Sequence, residues 1–87
     1  MREPEPLLWA RAPDTDEEFA VLPGTGTRMF MAEFGVDAEF SESTRRWSYS
    51  TVMMVDLESL DGYTFVDHLG NEVGLDETVA RLEEAAL

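Results

Sequence analysis

A single histidine limits the acid–base and metal chemistry that this sequence could perform. His68 is the only histidine among 87 residues, and the chain contains no cysteine. A catalytic triad or a histidine metal site therefore has one possible centre. Asp67 adjoins it, but neighbouring residues of a strand point to opposite faces, so the two side chains do not form a chelating pair. We interpret His68 as structural, predict no catalytic residues, metal site or cofactor, and disfavour a small hydrolase centred on it.

The acidic residues are too numerous to identify a catalytic pair. There are 19 Asp and Glu residues, so any part of the surface will carry two carboxylates about 5–10 Å apart. Residues 14–18 offer several oxygen ligands, but they lack the central glycine and terminal glutamate of a calcium loop. A dedicated cation site is not predicted.

Two further motifs have some features of anion-binding sites. Residues 24–26 read Gly-Thr-Gly, but a phosphate loop needs a following helix N-terminus, and the residues that follow are strand-like. Arg45 and Arg46 form the sole basic cluster. They could clamp a carboxylate or a phosphate, although pairing with the acids of this chain is the commoner arrangement. We predict a plain loop for the first motif and keep the clamp only as an alternative for the second.

The negative charge is distributed along the whole chain. The net charge is −13, with six arginines and no lysine. Residues 1–43 carry ten acids and three arginines, and residues 44–87 carry nine and three. Such a field repels nucleic acids and anionic membranes and accelerates association with basic surfaces. General acidity, which confers solubility and accompanies some host compositions, is the alternative explanation.

The length leaves room for one small domain. A chain of 87 residues buries only about 60% of the surface that its unfolded form exposes. There is no apolar run long enough to cross a bilayer and no signal-peptide pattern at the N-terminus. With cysteine absent as well, we expect a cytoplasmic protein. We predict an extended N-terminal arm at 1–13 and a single α+β domain at 14–87.

The arm is predicted from three prolines that surround an apolar patch. Pro4, Pro6 and Pro13 flank residues 7–10, which read Leu-Leu-Trp-Ala. Proline fixes φ and lacks an N–H donor, so an extended segment is favoured over a helix. The patch either folds back on the core, which we favour, or docks on another chain.

Residues 14–34 allow two interpretations. Residues 18–22 and 27–34 read as two strands joined through the Pro-Gly-rich segment 23–26, and we prefer this hairpin. Alternatively, Thr15 and Glu18 have capping-box spacing and would start a short helix that ends before Pro23.

Residues 45–55 give the clearest strand pattern. Trp47 and Tyr49 occupy odd positions and are predicted to face inward, whereas Ser48 and Ser50 begin an outward face. A turn at 57–62 then leads to a strand at 63–68. Because this connection is short, we predict that the second strand pairs antiparallel with the first. A tight turn at 69–72 and a last short extended piece follow.

The C-terminus has the periodicity of an amphipathic helix. Its predicted inner face consists of Leu75, Val79, Leu82 and Ala86. Asp76 is the predicted N-cap, and Glu77 precedes Arg81 in the favourable i,i+4 order. The fold class is therefore α+β: a small antiparallel β-meander of three to five strands with one C-terminal α-helix packed on the sheet.

Glu83 and Glu84 are unusual because they lie in the last turn of this helix. Acidic groups there oppose the macrodipole and cost up to about 1 kcal/mol each at low salt. A fraying helix end and a basic partner explain them equally well.

The function predicted from these features is non-catalytic binding. We expect a small acidic protein, of the inhibitor, immunity or anti-defence type, that docks its carboxylates on a basic surface of a protein partner, in one version by mimicking nucleic acid. An aromatic anchor would set the rate of dissociation. The candidate partner-binding residues are Trp9, Glu17, Glu18, Trp47, Tyr49, Asp56, Glu58, Asp61, Glu83 and Glu84.

The alternative is an accessory or structural subunit that associates with itself. Met29, Met31, Met53 and Met54 are concentrated on the two best strands. Both faces of these strands are apolar near the methionines, and one helix covers only one face of a sheet. Methionine-rich surfaces adapt to partners, so a homo-oligomer through a Met/Phe-rich sheet face is possible.

Overall fold

The computed structural model describes residues 5–25 and 28–85. It contains a C-terminal helix and eight short strands within that part of the chain, which confirms a small antiparallel β-rich domain with one helix. The prediction of three to five strands is wrong. The elements are β1 (Leu8–Arg11), β2 (Glu18–Thr25), β3 (Arg28–Glu33), β4 (Ala38–Ser41), β5 (Arg46–Tyr49), β6 (Met53–Asp56), β7 (Thr64–Val66), β8 (Glu72–Val73) and α1 (Leu75–Ala85).

Six strands form the main sheet, and two form a separate hairpin. The main sheet has the order β6-β3-β2-β1-β7-β8, with antiparallel pairing throughout, and β4 pairs with β5. No helix in the described ranges is long and apolar enough to cross a membrane.

The hairpin predicted from strands at 18–22 and 27–34 is confirmed as β2 and β3. The predicted loop at 23–26 is partly wrong, because β2 continues through Thr25, which pairs with Arg28. Their pairing runs from Phe19 opposite Glu33 to Leu22 opposite Phe30, with an irregularity before Thr25. The alternative helix is wrong, since the Thr15 hydroxyl accepts the N–H of Glu17 at 3.3 Å and forms a local turn instead.

The segment predicted as an arm supplies one strand of the main sheet. β1 lies between β2 and β7, and Leu8 and Ala10 are fully buried. Proline removes a donor from a ladder, but Pro6 and Pro13 flank β1 without interrupting it. Residues 1–4 of the predicted arm lie outside the described residues.

The single strand predicted at 45–55 is wrong, because it is two strands with different partners. β5 pairs with β4, whereas β6 pairs with β3 at the edge of the main sheet. Between them, Ser50 bends the chain by donating its N–H to the carbonyl of Asp37 at 2.9 Å and its hydroxyl to the same residue's carboxylate at 3.0 Å. The alternation of residue types continues across this bend, so the pattern does not reveal it.

The predicted pairing of the 63–68 strand with its predecessor is also wrong. β7 pairs with β1 and β8, four strand positions from β6. That distance is about 19 Å, and the connecting residues 57–63 can extend over about 24 Å. Leu57, Leu60 and Tyr63 of this crossing pack into the main core.

The main core lies on one side of the main sheet, here called the helix face. The inward side chains of this face are those of Leu8, Ala10, Phe19, Val21, Met29, Met31, Phe65 and Val73, and they pack against α1 and the 57–63 crossing. The opposite side, called the aromatic face, carries Trp9, Ala20 and Ala32 on three adjacent strands. The β4–β5 hairpin packs there, with Ala38 buried against the sheet.

The helix begins at Leu75, two residues before the start that an N-cap at Asp76 implies. The predicted inner face is confirmed at Leu82, which is buried in the main core, and at Val79, which packs against that core. Gly74 precedes α1, and its carbonyl accepts both the N–H and the hydroxyl of Thr78 at 2.9 Å; the predicted N-cap at Asp76 is therefore wrong. Thr78 and Leu82 are buried, whereas Leu75 is 61% exposed and is not on the inner face. Ala86 lies outside the described residues. The predicted pair is present, with Glu77 and Arg81 3.5 Å apart.

This register predicts different costs for two leucines of the same helix. Leu82 is 2% exposed, so Leu82→Ala leaves a cavity and lowers the free energy of unfolding by about 2–5 kcal/mol. Leu75→Ala is the matched control and changes it by about 0.5 kcal/mol or less. Urea denaturation followed by circular dichroism measures both, and equal losses would contradict the register.

Candidate functional site

Five aromatic side chains form a continuous group on the aromatic face. Trp47 lies at its centre, with ring centroids 5.5 Å from Trp9, 5.3 Å from Phe40, 6.1 Å from Phe34 and 6.4 Å from Tyr49. Trp9 also meets Phe34 edge-on at 5.2 Å. We call these five residues the aromatic cluster. Contacts of this geometry contribute about 0.5–1.5 kcal/mol each beyond area burial.

Small residues of the sheet allow the large rings to approach it. Trp9 on β1 is directly opposite Ala20 on β2, which is opposite Ala32 on β3. Ala20 and Ala32 of the main sheet form a buried cluster with Ala38 of the hairpin, and Trp9 and Trp47 pack against this cluster. Because these three side chains are single methyl groups, they leave room for the larger rings of Trp9 and Trp47 to pack against them.

The aromatic cluster is only partly covered. Phe34 is 49% exposed and Phe40 is 45% exposed, while Trp9, Trp47 and Tyr49 are half-buried. The covering hairpin consists of two strands of four residues each, which is too short to extend across a six-stranded sheet. An apolar surface therefore stays in contact with solvent.

Carboxylates adjoin one end of this cluster. A surface groove is lined by Asp16, Glu17, Glu18 and Glu33 together with the ring of Phe34. Glu18 also pairs with Arg11 at 3.4 Å, and both side chains are substantially exposed. The predicted binding residues Glu17 and Glu18 are thus brought to the edge of the aromatic cluster, beside Phe34.

Three other predicted acids lie at the opposite end of the sheet. Asp56 lies opposite Arg28 in the β3–β6 ladder. Arg28 is five residues along β3 from Glu33, so the backbones of these two residues are about 17 Å apart. The carboxylate of Asp56 accepts the N–H of Glu58 at 3.1 Å and caps the 3₁₀ turn there. Asp61 follows in the same crossing segment.

The last two predicted acids belong to α1, which covers the helix face. Glu84 lines a groove with Leu7, Arg81 and Ala85, and Glu83 is exposed beside it. The ten predicted residues therefore fall into three groups, of which only the group at the aromatic face combines aromatic rings with acids.

Few carboxylates are neutralised by arginine. Within the described ranges, two ion pairs form, Arg11 with Glu18 and Arg81 with Glu77. Arg45 and Arg46 make no ion pair with a described carboxylate. They lie at the end of the turn between β4 and β5, where Arg45 has a left-handed φ of 54°. Most of the negative field is thus directed to solvent.

His68 connects the chain ahead of β1 to the end of β7. Its Nε2–H donates to the carbonyl of Pro6 at 2.8 Å, and its ring meets Trp9 edge-on at 6.5 Å. No group of metal-binding side chains is present in the part of the chain that the structure describes. These contacts give His68 a structural role beside the aromatic cluster.

Asp67 is engaged in the turn between β7 and β8. Its Oδ1 accepts the N–H of Asn71 and the N–H of Leu69, each at 2.9 Å. The N–H of Asn71 is the largest cause that holds the pKa of Asp67 below its ordinary value. The carboxylate is therefore ionised at neutral pH and directed to the turn.

Phe34 and Phe40 were not predicted as binding residues. The signal for Phe40 is in β4, where Ala38 and Phe40 alternate with Glu39 and Ser41. The β5 sequence four residues later alternates in the same way, so a hairpin would place Phe40 opposite Trp47, as observed.

Comparison with protein-family models, with curated proteins and with solved structures found no match.

The alanine floor predicts a specific response to a larger side chain. Ala32→Leu forces the rings of Trp9 and Trp47 off the sheet, which lowers the free energy of unfolding by about 1–3 kcal/mol and shifts the tryptophan emission to longer wavelength. Ala80→Leu, on the exposed side of α1, is the control. It changes the free energy of unfolding by about 0.5 kcal/mol or less and leaves the wavelength of the tryptophan emission unchanged. An unchanged spectrum for Ala32→Leu would contradict the described packing.

Proposed function

We propose that this chain is a non-catalytic protein-binding domain that docks its aromatic cluster on a partner protein with a basic surface. The single observation that carries the proposal is the solvent-open group of five rings on the aromatic face. The acids that adjoin it determine the chemistry of the partner.

The rings have the properties of an interface anchor. Contiguous apolar patches on a soluble domain mark sites of interaction, and tryptophan and tyrosine are enriched among the residues that dominate binding energy. Trp47 is held by four neighbouring rings, so little side-chain entropy is lost when a partner covers it. Phe34 and Phe40 are the most exposed rings and would be desolvated on binding.

Charge complementarity favours a partner that is basic around an apolar centre. The net charge is −13, and only Glu18 and Glu77 of the described carboxylates pair with an arginine. The groove formed by Asp16, Glu17, Glu18 and Glu33 beside Phe34 would receive arginine or lysine side chains at the rim. An inhibitor, immunity or anti-defence protein directed at a basic enzyme would use a surface of this kind.

The nucleic-acid-mimic version is less well supported than a general protein-binding surface. A mimic presents carboxylates in rows with phosphate-like spacing. The candidate acids here lie in three groups on different ends and faces of the sheet. We therefore assign the affinity to the aromatic cluster and the rate of association to the charge.

Site-specific crosslinking in the native host tests this proposal. A photoreactive phenylalanine analogue at position 40 should capture a basic protein that the same analogue at Leu75 does not. Leu75 is comparably exposed but belongs to α1, which packs on the helix face. Capture that is equal at both positions, or capture of an acidic protein, would contradict the proposal.

Calorimetry with the captured protein then separates the contribution of the aromatic cluster to binding from that of the acidic side chains. Phe40→Ala should weaken binding by about tenfold or more at any salt concentration. Glu17→Gln combined with Glu18→Gln should weaken it at low salt and have little effect at high salt, because exposed charges are screened. Glu83→Gln combined with Glu84→Gln removes the same charge and should leave affinity almost unchanged; an equal loss would show that only net charge matters.

A further inference from the structure

Carboxylates gather where the edge strand β6 ends. Asp56 is the last residue of β6, and Glu58 and Asp61 follow it in the 57–63 crossing. None of the three forms an ion pair with an arginine of the described ranges, although Arg28 lies opposite Asp56 in the ladder with β3. The Oδ1 atom of Asp56 accepts the N–H of Glu58, so its other oxygen is available to a donor from another molecule.

The backbone of β6 has a neighbouring strand on one side only. β6 is the first strand in the order of the main sheet and pairs with β3. Apart from that ladder, residues 53–55 make no hydrogen bond within the described ranges. Their outward N–H and C=O groups can therefore pair with an added strand.

The side chains ahead of these carboxylates are apolar and accessible on both faces of the sheet. Met53 is 50% exposed on the helix face, and Met54 is 59% exposed on the aromatic face. Residues 51–55 contain no charge and no proline, which are the usual protections of an edge strand. The edge is thus apolar along most of its length and negative at one end.

The other edge of the main sheet lacks these properties. β8 consists of two residues, and one of them is the exposed Glu72. A very short edge that carries a charge is a poor template for pairing. Strand addition is therefore confined to β6.

We infer that β6 receives an extended segment of a basic partner protein, which adds to the main sheet as an antiparallel strand. Main-chain hydrogen bonds would supply affinity, and the side chains of the segment would set specificity. The antiparallel direction matches every pairing in the main sheet. It places the N-terminal part of the segment beside Asp56 and the C-terminal part beside Met53.

The register determines which residues the segment should carry. Side chains directly opposite each other share a face of the sheet and interact. The residue opposite Asp56 should therefore be arginine or lysine, and apolar residues should lie opposite residues 53–55. A further basic residue ahead of them would lie near Glu58. The expected ligand is thus one or two basic residues followed by three apolar residues in an extended chain.

Charge favours this occupant over a second copy of the chain. The net charge of −13 makes two copies repel each other, whereas it steers a basic segment toward the sheet. β6 has four residues, so the contact falls below the roughly 1,200 Å² that separates standard interfaces from weak, transient ones. The inference does not rest on the aromatic cluster, so it and the proposed function can fail separately.

Nuclear magnetic resonance of the full chain with two capped peptides tests this inference. The first peptide reads Arg-Arg-Val-Val-Val-Thr. The second has proline at the first and second valines, which keeps the charge and removes a ladder donor whichever of the two faces β6. The first peptide should shift the amide signals of residues 53–56 and protect the outward amides from exchange. The second should bind at least about tenfold more weakly and protect none of them.

Substitutions at this edge separate the contribution of pairing from that of charge. Met54→Lys should weaken binding of the first peptide at least about tenfold, because lysine on an edge opposes pairing and repels a basic segment. Leu69→Lys makes the same change of charge at an exposed leucine near the other edge and should weaken binding less than about twofold.

Asp56→Asn keeps a side-chain oxygen that can cap the 3₁₀ turn but removes the charge. It should weaken binding of the first peptide at low salt and have little effect at high salt. Glu72→Gln on β8 removes the same charge at the other edge and should have little effect at either salt concentration.

Three results would overturn the inference. The first is equal binding of the two peptides, or shifts at the acidic groove without shifts at residues 53–56, because binding would then follow charge alone. The second is no binding at about 1 mM peptide. The third is amide shifts at 53–56 that depend on the concentration of the chain without peptide, because a second copy would then occupy the edge. If Met54→Lys does not fold, the comparison of the two peptides on the unmodified chain decides.

Discussion

The structure depends on one constraint: its main sheet has two apolar faces, and the chain is too short to cover both equally. The helix face is closed by α1 and by the 57–63 crossing, whose leucines join the main core. The aromatic face receives only a hairpin of two four-residue strands. Small domains bury a modest fraction of their surface, and here the deficit is concentrated on one face.

The residues of the aromatic face are suited to a surface that is only partly covered. Ala20 and Ala32 form a floor on the sheet, Ala38 of the hairpin is buried with them, and the indoles of Trp9 and Trp47 pack against these alanines. Interlocked rings supply stability that a deeper core would otherwise provide. The same arrangement leaves Phe34 and Phe40 in solvent and places an acidic groove beside them. Under the proposed function, incomplete burial of this face is what makes it a binding surface.

Local signals predicted the elements, whereas the partners of several strands depended on contacts distant in sequence. The β2–β3 hairpin and α1 were predictable because a Gly-Pro loop and a 3.6-residue repeat are read from neighbouring residues. The bend at Ser50 was not, since its partner Asp37 lies 13 residues earlier. The inward orientation of Trp47 and Tyr49 followed from alternation. The contacts of Trp47 with Trp9 and Phe34 could not be predicted in this way, because Trp9 belongs to β1 and Phe34 follows the end of β3.

The central claim is that the aromatic face is open in the free chain, and solvent paramagnetic relaxation tests it directly. A neutral gadolinium chelate should broaden the ring signals of Phe34 and Phe40 strongly. It should leave the methyl signals of Val21 and Met29, on the helix face, nearly unaffected. Ring signals as protected as those methyl groups would contradict the account, because they would show that this face is sealed.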